Sequence, residues 1–180
     1  FKSLFNPISV RGNIGIHGGS IRTGGESLIL KSGGSASVIL NHKLGLGATG
    51  TGFAGSQNIT LDGDKYSMYG GYGGFLIEPI LFPKQTIHVS LPISFGGGEA
   101  AYFKDSLGYR EWEHSYSNSF YNDFIFIEPG INIEINVTKF MRFGITGSYL
   151  ITNTLNTSKL ANTELDGLSL SANLKFGWFK

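Results

Sequence analysis

The sequence contains no cysteine, which excludes disulfide bonds and thiolate metal sites. Only 15% of the residues are charged, compared with about 25% in soluble globular domains, so we expect something other than bulk water to cover part of the surface. No run of about 18 apolar residues is present, which excludes a transmembrane helix. The net charge is +1 without long basic runs, so nucleic acid is not an expected partner. The first residues lack a secretory signal pattern, so an exported protein is expected to carry this sequence in a mature or trimmed form.

Glycine and alternating hydrophobicity dominate what the chain does contain. Glycine supplies 27 of the 180 residues, about twice its usual share of about 7%. Helical spacing is almost absent, whereas apolar and polar residues alternate with a period of two in about eight segments, which predicts β-strands. In one such segment Ile131, Ile133 and Ile135 alternate with Asn132 and Glu134. We therefore expect a single all-β domain over residues 1–180.

The connections between the predicted strands alternate in length. Short turns lie near 41–43, 82–85 and 137–140, and long polar loops lie near 20–27, 55–65, 104–123 and 152–166. An up-and-down barrel places every short turn at one end and every long loop at the other, as transmembrane barrels do. The pattern predicts a closed, antiparallel, eight-stranded up-and-down barrel that spans a membrane, with both termini at the end of the short turns.

The composition of the two strand faces favours a membrane barrel over the alternative, a soluble barrel or sandwich. The polar face consists mostly of Ser, Asn, Thr and Gly, whereas a solvated face usually carries many Lys and Glu residues. Large apolar side chains on all eight strands would overfill so narrow an interior, so they are expected to face lipid. Two aromatic girdles are predicted at the lipid interfaces, formed by Phe5, Phe82, Phe140 and Trp178 near the short turns and by Phe53, Tyr69, Phe124 and Tyr149 toward the loops.

With this pattern the chain resembles the small eight-stranded outer-membrane barrels of the OmpA transmembrane-domain and OmpX kind, and its glycine and tyrosine content resembles the versions found in Bacteroidota. The closing stretch LSLSANLKFGWFK resembles the C-terminal strand that the outer-membrane assembly machinery reads, although it ends in Lys180 after Phe179. The resemblance implies a place in the outer membrane of a Gram-negative cell. The partners that it implies are outer-membrane lipid, lipopolysaccharide and the assembly machinery.

Charged side chains on the polar faces are expected to form a structural network inside the barrel, because buried charges are costly unless they are paired. A hairpin centred on Pro83 would place Glu78 directly across from His88. A proton relay or a gated pore is the alternative, which is disfavoured because eight strands leave no open channel. The predicted network comprises Arg11, Glu78, His88, Glu128, Glu134, Arg142 and Lys175.

Two short motifs match ligand sites by letters alone. Residues 45–50 read G-x-G-x-x-G, but a dinucleotide site needs a helix after the glycines and no helical pattern follows. Asp62 and Asp64 offer two carboxylates, fewer than the six to eight oxygens of a calcium site. We therefore predict neither a cofactor nor a metal.

The loop at 104–123, KDSLGYREWEHSYSNSFYND, is the predicted binding surface. Aromatic residues beside charged ones are typical of contact surfaces, whereas packing on neighbouring loops is the alternative. The candidate binding residues are Tyr109, Arg110, Trp112, Glu113, Tyr116, Phe120 and Tyr121.

The function expected from these features is that of a structural or binding scaffold, whose loops contact a partner outside the cell or within a larger outer-membrane complex. A lipid-modifying hydrolase resembling the lipid A deacylases is the alternative from another class, and a small-solute pore is a third. Such a hydrolase would need a serine, a histidine and an acid together, with access to substrate and an oxyanion site. The pairs considered are His88 with Ser90, His17 with Ser20, and His114 with Ser115. No catalytic residue is predicted.

Overall fold

A computed structural model describes residues 9–24, 28–61, 64–83, 85–104, 120–155 and 165–179. Nine strands account for most of them, and within these ranges no helix is long and apolar enough to cross a membrane. The strands are β1 Val10–Thr23, β2 Leu28–Leu40, β3 Leu44–Leu61, β4 Asp64–Leu81, β5 Ile87–Ser90, β6 Ile93–Lys104, β7 Phe120–Asn136, β8 Met141–Thr154 and β9 Gly167–Gly177.

The strands form one antiparallel sheet that closes on itself. β1 pairs with β2 and with β9, and β2–β3, β3–β4, β7–β8 and β8–β9 are also paired neighbours along the chain. β5 and β6 are consecutive pieces of a single wall position, since both lie between β4 and β7. The nine strands therefore make a ring of eight, which confirms the predicted eight-stranded antiparallel barrel.

Prolines explain why one wall position is divided into β5 and β6. Pro92 lies between the two strands and has no backbone N–H with which to continue the ladder. Pro79 on β4 and Pro129 on β7 lie on either side of this break. The neighbouring amides are satisfied locally, because Leu91 N donates to Pro79 O at 2.9 Å and Gly130 N donates to Pro92 O at 2.8 Å.

The predicted sidedness of the strands is observed around the ring. On β5, Ile87 is 55% exposed whereas His88 is 1% exposed, and on β7 Ile133 is 55% exposed whereas Asn132 is 2% exposed. Large apolar side chains such as Ile14 are exposed on the outer face of every wall position. An apolar face of this extent is expected only where lipid covers it, so the wall spans a membrane.

The aromatic girdles are only partly as predicted. Near the short turns, Phe82, Phe140 and Trp178 point outward and are strongly exposed, whereas Phe5 lies outside the described residues. At the other end Tyr69 and Tyr149 point outward. The assignment of Phe53 and Phe124 to that girdle is wrong, because they are only 4% and 3% exposed and lie inside the barrel.

Interior glycines allow these aromatic rings to lie against the barrel wall. A Cβ atom added at Gly70 would lie 2.6 Å from Cζ of Phe53, and one added at Gly98 would lie 2.6 Å from Cζ of Phe124. The G-x-G-x-x-G stretch lies within β3, where a Cβ on Gly47 would collide with the carbonyl oxygen of Ala36. Glycine is therefore required by close backbone and ring approach in this narrow barrel.

Candidate functional site

The lower ion-pair cluster lies inside the barrel near the short turns and consists of Glu78, Glu134, Arg142 and Lys175. Nζ of Lys175 lies 2.6 Å from Oε1 of Glu78 and 2.6 Å from Oε1 of Glu134. Nη1 of Arg142 lies 3.5 Å from Oε2 of Glu134. Because these residues come from β4, β7, β8 and β9, the cluster ties non-adjacent parts of the wall together.

Neighbouring side chains complete the hydrogen bonding of the two carboxylates. His88 Nε2 lies 2.9 Å from Oε2 of Glu134, and the Ser90 hydroxyl donates to Oε1 of Glu78 at 2.6 Å. Asn132 Nδ2 donates to Oε1 of Glu134 at 2.7 Å. Each acid in this cluster thus accepts hydrogen bonds as well as facing a cation, which is the condition under which buried charges are tolerated.

The predicted opposition of Glu78 and His88 is wrong. Leu81 pairs with Val89, so the hairpin is centred on residue 85 and not on Pro83. The turn is longer than expected because Phe82 adopts a left-handed backbone with φ of 53° and Gln85 N donates back to Phe82 O at 3.1 Å. His88 consequently faces β7, where it pairs with Glu134.

The upper ion-pair cluster lies nearer the loops and is built around Glu128. Nζ of Lys31 lies 2.7 Å from Oε1 of Glu128, with side chains only 5% and 10% exposed. The Ser148 hydroxyl donates to Oε1 of Glu128 at 2.6 Å, and the Tyr72 hydroxyl donates to Oε2 at 3.1 Å. Four strands meet at this carboxylate.

Lys31 is absent from the network predicted from the sequence, and Arg11 does not join either cluster. Residues 28–30 read Leu-Ile-Leu without alternation, which hides the parity that would mark Lys31 as inward. Arg11 points inward near the short turns, and its Nη1 atom is buried without a hydrogen-bond partner among the described residues. The sequence therefore did not reveal that Lys31 is the cation that pairs with Glu128.

A polar chamber of about 100 Å³ separates the two ion-pair clusters. Lys31 and Glu128 line it on one side, and Lys175 and Glu78 line it on the other. It has room for about three water molecules of about 30 Å³ each. Lining atoms that have no hydrogen-bond partner within the described protein include the Ser171 hydroxyl and Oδ1 of Asn173, and both residues are at least nine-tenths buried.

Apolar side chains fill much of the loop half of the barrel, beside buried polar residues such as Thr23, Asn122 and Ser169. Tyr72 and Phe126 are in edge contact with ring centroids 4.7 Å apart. The expectation of a polar interior is therefore correct only for the lower part. The apolar cluster, which closes this end over the chamber, consists of Ile21, Ile29, Phe53, Met68, Tyr72, Ala100, Phe124, Phe126, Leu150 and Leu165.

A smaller apolar cluster lies at the other end of the barrel, below the lower ion-pair cluster. Ile39, Ile80 and Phe179 are buried together. Arg142 links the lower ion-pair cluster to this apolar cluster, because its guanidinium carbon lies 3.9 Å from the centroid of the Phe179 ring. This cation–π contact holds the last described residue of the chain against the interior.

Most of the predicted binding loop falls outside the described residues. This applies to Tyr109, Arg110, Trp112, Glu113 and Tyr116. Phe120 is the first residue of β7, and its side chain is not described. Tyr121 follows it on the outer face and is 53% exposed. The described strands therefore bring both ends of this loop to the same edge of the barrel.

None of the described histidine and serine pairs is arranged as a nucleophile and its base. Ser90 is fully buried and donates to Glu78, while His88 bonds to Glu134. His17 points inward and bonds to Thr51 Oγ1 at 2.9 Å, whereas Ser20 lies on the opposite face of β1. His114 and Ser115 lie outside the described residues.

Comparison with known proteins finds no matching family model and no matching curated protein. Among solved structures, Neisserial surface protein A superimposes with a TM-score of 0.60 at 11% identity, over 95% of this chain and 99% of that chain. A major outer membrane protein from Thermus thermophilus gives a TM-score of 0.58 at 7% identity, over 94% and 99% of the two chains. This chain therefore has the fold of the small eight-stranded barrels of the bacterial outer membrane.

Proposed function

We propose that this chain is a scaffold of the bacterial outer membrane that presents its long loops to a binding partner, and that it belongs with the OmpA and OmpX kind of barrel from Bacteroidota. The observation that carries this proposal is the closed interior. An apolar cluster lies at each end of the lumen, and the chamber between them has a volume of only about 100 Å³. Passage of a solute would require both clusters to open, so transport is poorly supported.

The acidic residues that form the network inside the barrel have a structural explanation. Glu78, Glu128 and Glu134 each face a cation within 2.7 Å. Breaking such a buried pair costs about 3 to 5 kcal/mol, so the network is expected to hold the wall together. Activity is therefore assigned to the loop end.

The wall is tall on the side of the barrel where the predicted binding loop leads from β6, which adjoins β4, to β7. β3 and β4 have 18 residues each and β7 has 17, compared with 13 for β2. A tilted strand needs only about 9 to 11 residues to cross the hydrocarbon region. The extra length extends beyond the membrane on this side, and Tyr121 is exposed there.

Charge also distinguishes the loop end. The four segments predicted as long loops, 20–27, 55–65, 104–123 and 152–166, contain nine acidic and five basic residues. The extent predicted for the first two is wrong, because β1 continues to Thr23 and β3 pairs with β4 as far as Leu61 and Asp64. A negative surface of this kind attracts basic partners and repels acidic ones. We therefore infer a partner with a basic contact surface.

Deletion of residues 106–119 tests the proposal. The shortened barrel should still migrate differently before and after boiling, which reports a folded barrel, while co-purification of a partner from native membranes should be lost. The control is Glu78→Gln with Glu128→Gln, which should lower barrel stability and leave partner capture unchanged once the barrel has folded. Normal capture by the loop deletion, together with loss of capture by the control, would show that the function lies in the interior.

We also propose that the barrel is not a lipid hydrolase. The support is geometric, because Ser90 is fully buried and its hydroxyl is committed to Glu78. A nucleophile must reach both its base and its substrate. Mass spectrometry of lipid A and phospholipids from cells with and without the protein should show identical acylation. A missing acyl chain that depends on any of the three histidine and serine pairs would refute this.

A further inference from the structure

An open groove lies on the lipid-facing wall near the short turns. It lies over the paired ends of β1 and β9 and has a volume of about 450 Å³, within the range of about 300 to 1,000 Å³ that is typical of small-ligand sites. Its lining includes Gly12 and Ile14 from β1, Phe176 from β9, and Trp178 and Phe140 beside them. The site is thus apolar and opens toward lipid.

The floor of the groove exists because Gly12 has no side chain. Gly12 points outward opposite Val38 of β2, and a Cβ atom added to it would meet no atom within 4 Å. The walls are aromatic, with Trp178 78% exposed and Phe140 60% exposed. A backbone hydrogen bond from Gly177 N to Phe140 O, 2.9 Å long, fixes the turn against the end of β9. The groove is therefore held open by backbone contacts.

A lysine directly precedes one wall residue of the groove in the sequence. The short turns contain Lys43, Lys84 and Lys139 and no acidic residue in the sequence. Lys139 directly precedes Phe140 of the groove wall, and its carbonyl accepts a hydrogen bond from Phe179 N at 3.5 Å. Lysines at a membrane surface attract anionic headgroups, so the chemistry beside the groove favours a lipid with a negative headgroup.

We propose that this groove binds one acyl chain of an anionic phospholipid, with the phosphate of that lipid beside Lys139. The apolar walls match an acyl chain, and Lys139 matches the headgroup to which the chain is attached. Trp178 and Phe140 lie at the height where aromatic rings meet headgroups. The bound lipid would cover the join between the first and last strands of the barrel.

Native mass spectrometry of the barrel extracted from vesicles of defined composition tests this assignment. From vesicles with equal phosphatidylglycerol and phosphatidylethanolamine, the barrel should retain one phosphatidylglycerol. Gly12→Leu should fill the groove and lower retention at least tenfold. The matched control is Gly50→Leu on β3, another outward glycine where a Cβ would meet nothing within 4 Å, and it should retain lipid normally.

Lys139→Gln separates the headgroup from the acyl chain. This variant should still retain one phospholipid, but its preference for phosphatidylglycerol should fall by about fivefold. Boiled and unboiled samples of each variant on a gel confirm folding, and Gly12→Val replaces Gly12→Leu if the latter does not fold. Equal retention by the wild type, Gly12→Leu and Gly50→Leu would overturn the proposal. So would a wild-type dimer that Gly12→Leu converts to a monomer, since the groove would then bind a second copy.

Discussion

Replacing Lys31 with methionine is the sharpest test of the interior network. Methionine preserves the length of the side chain and removes its charge, so Glu128 loses the cation that lies 2.7 Å away. The carboxylate keeps its hydrogen bonds from Ser148 and Tyr72, but it remains buried without a counter-charge. The barrel is therefore expected to lose stability without losing its shape.

The expected magnitude follows from the burial of this pair. Removing one partner of a buried ion pair costs about 3 to 5 kcal/mol. The lower value, about 3 kcal/mol, applies here because two hydrogen bonds to Glu128 survive and the polar chamber adjoins it. Glu128→Gln should cost a similar amount by leaving Lys31 uncompensated. The double variant buries neither charge, so it should be no less stable than either single variant, which corresponds to a coupling energy of about 3 kcal/mol.

Urea unfolding in lipid vesicles, followed by tryptophan fluorescence, measures these differences. With a slope of about 1 to 3 kcal/mol per molar urea, each single variant should lower the midpoint by about 1 to 3 M. The control is Lys43→Met in an exposed short turn, which should leave the midpoint unchanged. If the two single effects add within about 0.5 kcal/mol in the double variant, Lys31 and Glu128 do not stabilise the barrel as a pair.

Three further predictions concern the wall and the chamber. Ile133→Arg places a charge on the lipid face and should cost about 2 to 4 kcal/mol at the bilayer midplane; an unchanged urea midpoint would contradict the assigned sidedness. Gly98→Ala should lower the melting temperature because its Cβ would approach the Phe124 ring, while Gly50→Ala should have no effect; equal melting temperatures would refute the close-approach argument. A high-resolution crystal structure should show about three ordered waters in the chamber, bonded to Ser171 and Asn173; a dry chamber would refute its polar character.

The sequence alone was sufficient to predict the barrel and its sidedness. A strand has a side-chain period of two, so segments such as 131–135 show which residues face lipid without reference to any distant part of the chain. Loop length is equally local, and the alternation of short turns with long loops predicts an up-and-down order. The closed ring of eight strands confirms the order, and the exposure of Ile131 and Ile133 confirms the facing. The long loop predicted at 55–65 is wrong, because β3 and β4 extend to Leu61 and Asp64.

Only the tertiary structure determined which residues meet inside the barrel. Phe53 and Phe124 are apolar like the lipid-facing residues, and nothing local shows that a second apolar environment exists in the loop half of the lumen. Lys31 was hidden for the same reason, because apolar residues on both faces of β2 remove the alternation. Interior contacts depend on register, and a turn centred two residues later than predicted moves His88 from Glu78 to Glu134. Whether a side chain points to lipid or into the lumen is a local property of its strand. Which side chains meet across the lumen depends on all eight wall positions together.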